Sequence, residues 1–217
     1  MKNEKKTKKP VRRKLADIRK GNSDQILLVA EKIFAERGYR GSTIAAIAEE
    51  ADLPKANVLY YFKTKEILYK AVLSRQLGIW MQHMDAMTVE QHPRDALRDY
   101  IRNKIKQSKE QPNASRIFAA EILHGAEFLQ EQLKTDLKDQ FDRTCMVFRG
   151  WIAKRWMEPV NPEHLLFMIW SSTQAYADYS FQSSIMLEKP ELTEEDYEAG
   201  VELITRLVLK GCGVSLL

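Results

Sequence analysis

The chain has 217 residues, 44% of them apolar, enough for a packed interior and against global disorder. Its net charge of +4 is unevenly spread: residues 1–75 hold 18 Lys+Arg against 9 Asp+Glu, while the rest is acidic. With no run of roughly 18 apolar residues, no apolar stretch behind the charged N-terminus and only two cysteines, the sequence excludes a membrane span, a signal peptide and a disulfide framework, and fits a reduced, cytoplasmic protein.

In chain order, residues 1–21 form a basic arm with little apolar content, expected to be unstructured in isolation. It either follows nucleic-acid phosphates or is a solvated tail. Asn22 or Ser23 is expected to cap a first helix with the apolar stripe Ile26, Ala30, Ile33 and Phe34, ended by Gly38. Ser42 or Thr43 caps a second helix carrying Ile44, Ile47, Ala48 and Ala51 on one face. Asp52, Leu53 and Pro54 make a turn, and a third helix runs to about Phe62 with Val58 and Phe62 inward. Its outer arc holds Lys55, Ala56, Asn57, Leu59, Tyr60 and Tyr61. Thr64 caps a long fourth helix that continues past Trp80.

The remainder reads as helix throughout. Pro93 to Ser108 carries Leu97, Ile101 and Ile105. Asn113 is expected to cap the next segment, ending at His124 and Gly125. A long segment from about Ala126 to Trp156 carries Leu129, Leu133, Leu137 and Phe141. Pro159 to Pro162 is a break. Asn161 caps a strongly apolar helix over PEHLLFMIWSSTQAYADYSF, and Thr193 starts a last helix through Lys210. The expected fold is all-α with about nine helices. A basic arm (1–21) precedes a three-helix helix-turn-helix domain (22–75, motif about 44–63) and a larger helical ligand-binding and dimerisation domain (76–217).

Two helices joined by a tight turn make a rigid wedge, the second entering a DNA major groove while the first crosses the backbone. Small residues in the first helix (Ala45, Ala46, Ala48), the turn, and polar or aromatic residues on the second meet those demands. An ordinary helical hairpin meets the same spacing. The segment AEKIFAERGYRGSTIAAIAEEADLPKANVLYYFKTKEILYKAV (30–72) resembles the TetR family of bacterial transcriptional regulators. That resemblance implies a homodimer on a palindromic double-stranded operator, with an all-helical ligand domain behind. The sequence departs from the pattern at Asp52, where Gly is usual, and at Pro54, where a Ser cap is usual, so Asp52 is expected to cap the third helix instead. Position by position, Thr43 is expected on a phosphate, Lys55 on a guanine edge or phosphate, Asn57 on adenine or a phosphate, and Leu59 on a thymine methyl. Tyr60, Tyr61 and Lys65 are expected on phosphates, with Ala56 on the same face and Arg40 flanking.

Within 164–180, Trp170 and Gln174 lie one helical turn apart. An aromatic plate beside an amide suits a flat heterocycle, and core or dimer packing explains the pair equally well. The runs DYIRNK (99–104), PNASRIF (112–118), EILHGA (121–126) and FMIWSSTQAYAD (167–178) resemble the TetR subgroup that contains the pyrimidine-utilisation (rut) regulator. This implies a planar effector such as uracil or thymine touching Trp170 and Gln174, with Trp80 and Tyr176 as walls. His83, His92, His124 and His164 lack metal-ligand spacing, and no phosphate loop or nucleophile motif occurs, so neither a metal, a cofactor nor a catalytic residue is expected. The sequence thus points to a ligand-responsive DNA-binding regulator, most simply the repressor of a catabolic operon. The alternatives are a helical small-molecule-binding protein or enzyme with an incidental basic N-terminus, and a sequence-neutral DNA binder driven by the arm.

Overall fold

The structure, a computed structural model, describes the backbone of residues 9–215 and the side chains of residues 21–215. All regular structure among them is helical. Two compact units divide at Val72 and Leu73, three residues before the boundary expected from sequence.

The first unit is built from α1 (Lys9–Gly41), α2 (Ile44–Glu50), α3 (Lys55–Tyr61) and the start of α4 (Lys65–Asp85). Helix α1 does not begin at Asn22 or Ser23. No breaker separates Val11 from Lys20, and Pro10 sits in the first turn, where its missing N–H has no helical partner anyway. Residues 1–8 of the basic arm lie outside those described. Gly38, at φ 65 and ψ 173, ends the regular part of α1. Around it the chain turns so that Ser42 Oγ donates to the carbonyls of Ile33 and Gly38 at 3.2 and 2.7 Å. The stripe Ile26, Ala30, Ile33 and Phe34 is buried against Ile47, Ala48 and Val58, with Leu68 and Tyr69 from α4. Phe34 meets Tyr69 edge-on at 4.9 Å.

The second unit holds the rest of α4 with α5 (Pro93–Glu110), α6 (Pro112–Leu123), α7 (Gln130–Gln132), a π-helical turn (Leu133–Leu137), α8 (Lys138–Ala153), α9 (Pro162–Asp178), α10 (Ser180–Met186) and α11 (Glu194–Gly211). Two expected helices are subdivided. Leu129, Leu133, Leu137 and Phe141 repeat every four residues, outrunning a 3.6-residue turn by about 40° per step. The wider π turn at Leu133–Leu137 takes up that drift. The apolar helix from Pro162 breaks at Tyr179, and its remainder is α10. Asn113 does not cap α6; Gln111 takes the cap position without a side-chain bond, and Pro112 opens the helix. Asn161 does cap α9, accepting from His164 N at 2.9 Å, and Thr193 with Asp196 forms a capping box on α11. Helix α5 packs between α9 and α11, so Leu97, Ile101 and Ile105 lie in one core with Phe148, Trp151, Leu166 and Ile169.

Candidate DNA interface and effector site

In the first unit the helix-turn-helix is set by backbone hydrogen bonds. Leu53 N donates to Ala48 O at 3.0 Å and Asp52 N to Glu49 O at 3.1 Å, with Asp52 at φ 50. That is a Schellman ending of α2, with Asp52 in the left-handed position that glycine fills most easily. Asp52 therefore does not cap α3, as the sequence suggested. Pro54 holds the cap position and α3 starts without a side-chain cap. Thr43 caps α2, its Oγ1 accepting from Ala46 N at 3.1 Å, so the hydroxyl proton remains for an outside acceptor.

Helix α3 turns Val58 fully inward, and Phe62 follows it into the core. Lys55, Ala56, Asn57, Leu59 and Tyr60 are exposed together, Tyr61 is half-buried, and the Tyr60 and Tyr61 rings meet edge-on at 5.2 Å. The structure thus gathers the expected outer arc on one face. Lys65 is turned elsewhere: its Nζ donates to Tyr39 O at 2.8 Å and Ser42 O at 2.9 Å and rests 4.4 Å over the Tyr39 ring. It staples the carbonyls left over where α1 ends, which leaves one N–H for anything outside. Lys63, exposed in the turn before it, was not singled out by the sequence.

In the second unit, Trp80, expected as a wall, is buried on α4. Phe118 of α6 meets it edge-on at 4.8 Å, and the ammonium of Lys104 from α5 lies 4.3 Å over its ring. Lys104 is only 4% exposed and makes no hydrogen bond or ion pair with any described residue. Burial pushes its ammonium down to about 8, with Asp178 of α9 opposing. Asp178 shows the mirror effect: burial pushes its carboxyl up, while Ser115, Arg116 and Lys104 pull it down. Ser115 of α6 donates to Asp178 Oδ1 at 2.8 Å. Two more buried atoms here lack partners, His83 Nε2 and Gln107 Oε1, each one helical turn beyond Trp80 and Lys104. Burial, then Lys104, lowers the His83 pKa. Each unpaired group costs about 1–3 kcal/mol unless something else satisfies it.

Trp170, Gln174 and Asp178 follow at four-residue steps along α9. Trp170 Nε1 donates to Tyr100 Oη at 2.7 Å, and Tyr100 precedes Lys104 by one turn. Gln174 is half-buried and its amide makes no hydrogen bond with a described residue. Tyr176 does not join them, a correction to its expected place as a wall. It packs on α11, where a Cβ on Gly200 would fall 2.2 Å from its hydroxyl, and its ring lies 6.0 Å from that of Tyr197. Lys104 and Asp178 were missed from sequence, though a signal existed. Lys104 falls at Leu97 plus seven and Ile101 plus three, a charge on a buried face. Chemically the cluster offers aromatic plates, a donor-only cation and an acceptor, all drawn from α4, α5, α6 and α9. Among the described residues no group of His, Cys, Asp or Glu could hold a metal, and no helix is long and apolar enough to cross a membrane.

Residues 26–72 match the family model for bacterial regulatory proteins of the tetR family, and residues 73–215 match that for the YcdC-like protein, C-terminal region. The HTH-type transcriptional regulator RutR of Escherichia coli (strain K12) is 38% identical over 86% of this chain and 88% of its own. The HTH-type transcriptional repressor NemR of the same strain is 22% identical over 73% and 86%. Among solved structures, a bacterial regulatory protein in the tetR family from Rhodococcus RHA1 superposes with a TM-score of 0.71 at 18% identity, over 89% of this chain and 98% of that one. A Clostridium perfringens putative fatty acid metabolism regulator gives 0.65 at 22%, over 88% and 100%. At these identities the structural matches speak for the fold alone.

Proposed function

The chain belongs to the tetR family of bacterial regulatory proteins, a ligand-responsive DNA-binding regulator, and from that premise we propose that it is a repressor controlled by a pyrimidine-like molecule. It acts in the cytoplasm as a homodimer on a palindromic operator. The observation that carries this reading is the polar cluster around Lys104 and Trp80, in which Lys104 is buried over the Trp80 ring and His83 Nε2 and Gln107 Oε1 lack partners, in a chain 38% identical to RutR over 86% of its length.

Helix α3 is the reading helix. Lys55, Asn57 and Leu59 are its base contacts, Tyr60 and Tyr61 give hydroxyls to phosphates, and Thr43 offers a hydroxyl from the start of α2. Lys63 supplies the phosphate contact that Lys65, stapling Tyr39 and Ser42, is poorly free to make. Dimerisation runs through α9 and α11, whose Phe167, Met168, Leu203 and Leu207 are exposed apolar side chains of the single chain.

The effector binds among Trp80, Lys104, Trp170 and Gln174. A ligand moves a conformational equilibrium only by preferring one state, so the effector must bind the dimer that does not fit DNA more tightly. Helix α4 is the lever, since it carries Trp80 at one end and Lys65 at the other. A shift of α4 changes the spacing of the two reading helices, which a palindrome fixes at about 34 Å or a multiple. A thermal-shift panel tests the effector: uracil or thymine at a hundredfold excess over its dissociation constant stabilises by about 2.7 kcal/mol. No shift from either would discard the pyrimidine effector.

A further inference from the structure

Asp52 sits at φ 50, a left-handed backbone that a residue with a Cβ adopts only at a cost. Whether it stays there depends on the peptide before it, whose Ala51 carbonyl and Asp52 N–H turn together because the unit is planar. The N–H donates to Glu49 O at 3.1 Å. Among the described residues no backbone N–H reaches the carbonyl: Leu53 N goes to Ala48 O, and α3 opens with Asn57 N on Pro54 O at 2.8 Å. Gln25 takes it instead. From α1, 26 residues earlier, its Nε2 donates to Ala51 O at 2.9 Å. Ala51 is 1% exposed, so little water can stand in for that donor. Lys32, two turns on along the same face of α1, also reaches the end of α2, but its pair with Glu50 is exposed and screened by salt.

A rotation of that peptide would move Asp52 out of the left-handed region, break its bond to Glu49 and shift the path by which Leu53 and Pro54 lead into α3. Hydrogen bonds to base edges weaken steeply once distance and angle drift, whereas attraction to phosphates tolerates a small shift. We propose that Gln25 is a positioning residue for DNA reading: by holding the Ala51 carbonyl it keeps Asp52 left-handed and α3 at the angle from which Lys55, Asn57 and Leu59 meet the bases. The proposal rests on the reading of α3 as the helix that enters the groove. Glycine takes the left-handed backbone freely, so a glycine in place of Asp52 would need no such grip. The two positions are therefore coupled, although Gln25 touches neither α3 nor the side chain of Asp52 by any described hydrogen bond.

Two substitutions separate donation from packing. Gln25→Ala removes the whole side chain beyond Cβ, and Gln25→Met keeps the length while removing the donor. Both are expected to lose an operator duplex by about tenfold, the order of one misaligned base contact. Binding to a scrambled duplex of the same length should stay within about twofold, because the phosphate contacts remain. A first unit that was partly unfolded would lower both duplexes together. Adding Asp52→Gly to Gln25→Ala is the rescue: the double variant should bind the operator within about twofold of Asp52→Gly alone, a coupling that independent sites do not show. Comparison with Asp52→Gly also cancels the effect of removing a negative charge beside DNA.

The experiment is anisotropy titration of the full-length protein and these variants on an operator selected from a random pool by the wild type and on its scrambled counterpart, with Asn57→Ala alongside and circular dichroism confirming the helical fold. Loss confined to the operator in Gln25→Ala and Gln25→Met, and abolished by Asp52→Gly, supports the proposal. Equal loss on both duplexes overturns it, as does a loss that persists in full when Asp52→Gly is added, which would make Gln25 a DNA contact in its own right. Loss in Gln25→Ala but not in Gln25→Met overturns it as well, since packing and not donation would then be at work. If Asn57→Ala loses the operator while Gln25→Ala keeps it, the positioning role falls and α3 remains the reading helix. If Asn57→Ala keeps the operator, the reading of α3 falls and the proposal with it.

Discussion

The two units differ in the polar groups they leave without a partner. In the first, Ser42, Lys65 and Gln25 all donate to backbone carbonyls that helix ends would otherwise strand. Among the described side chains, every buried polar atom left without a partner lies in the second unit: Arg75 Nη1, His83 Nε2, Gln107 Oε1, Trp151 Nε1 and Thr205 Oγ1. The difference teaches where each unit expects its partner. The first is internally satisfied and offers its function on an exposed face, as a rigid wedge must. The second keeps unpaired polar atoms in reserve inside, two of them, His83 Nε2 and Gln107 Oε1, one helical turn beyond Trp80 and Lys104.

The largest effect should come from spoiling that rigidity. Val58→Asp places an unpaired carboxylate on the inward face of α3, where Val58 has no exposure at all. The cost is about 4 kcal/mol. Operator binding should drop by up to about a thousandfold in an anisotropy titration, while calorimetry shows effector affinity within twofold of wild type. Loss of both would mean that the units do not behave separately.

Next comes the reserve itself. Its pH dependence follows from the Lys104 ammonium at about 8, against 10.5 ordinarily. Between those values the unfolded chain binds more protons than the folded one, so stability rises with pH from about 8 to 10.5, and the penalty is fully present below 8. The facing groups are His83 from α4, Asp178 from α9 and, beyond Asp178, Arg116 from α6. At 1.36 kcal/mol per unit the penalty is about 3 kcal/mol. Lys104→Met should be more stable than wild type by that order at pH 7 in denaturant melts, and the gap should narrow to under about 1 kcal/mol by pH 10. A gap independent of pH would show that the charge is not what the fold resists.

A smaller effect separates two neighbouring lysines. Lys65→Ala strands the carbonyls of Tyr39 and Ser42 and should cost the first unit about 2 kcal/mol. Lys63→Ala should leave the melting temperature unchanged and lower the slope of log affinity against log salt by about one. If the two variants exchange these signatures, the staple is misassigned. Smallest is Asp52→Gly, which relieves the left-handed backbone at φ 50. It should stabilise the first unit by less than about 1 kcal/mol in a thermal melt; a destabilised variant would show that the Asp52 side chain matters after all.

The same contrast explains what could be read from sequence. The helix-turn-helix was legible because its signals are local: a stripe ending at Phe34, a cap at Thr43, and Val58 and Phe62 four apart. What failed there was chemistry with more than one local solution. Asp52 can cap a helix or take up a left-handed turn, and the hydrogen bonds that decide it come from Ala48 and Glu49. Lys65 can reach a phosphate or a carbonyl, and the choice depends on where α1 ends. The proposed effector cluster was only half legible. Trp80, Trp170 and Gln174 drew notice by residue type, but Lys104 meets Trp80 across 24 residues of chain and Ser115 meets Asp178 across 63. Tyr176 belonged to the same apolar run as Gln174, and only packing on Gly200 shows that it faces α11.

The central claim is that occupation of the Lys104 and Trp80 cluster decides whether α3 docks. It is tested most directly by operator affinity, measured by anisotropy on a duplex selected from a random pool, with and without uracil at a concentration calorimetry shows to be saturating. The account predicts that uracil weakens wild-type binding by at least tenfold and leaves Lys104→Met on the operator at the same concentration. Wild-type affinity unchanged by saturating uracil would contradict it.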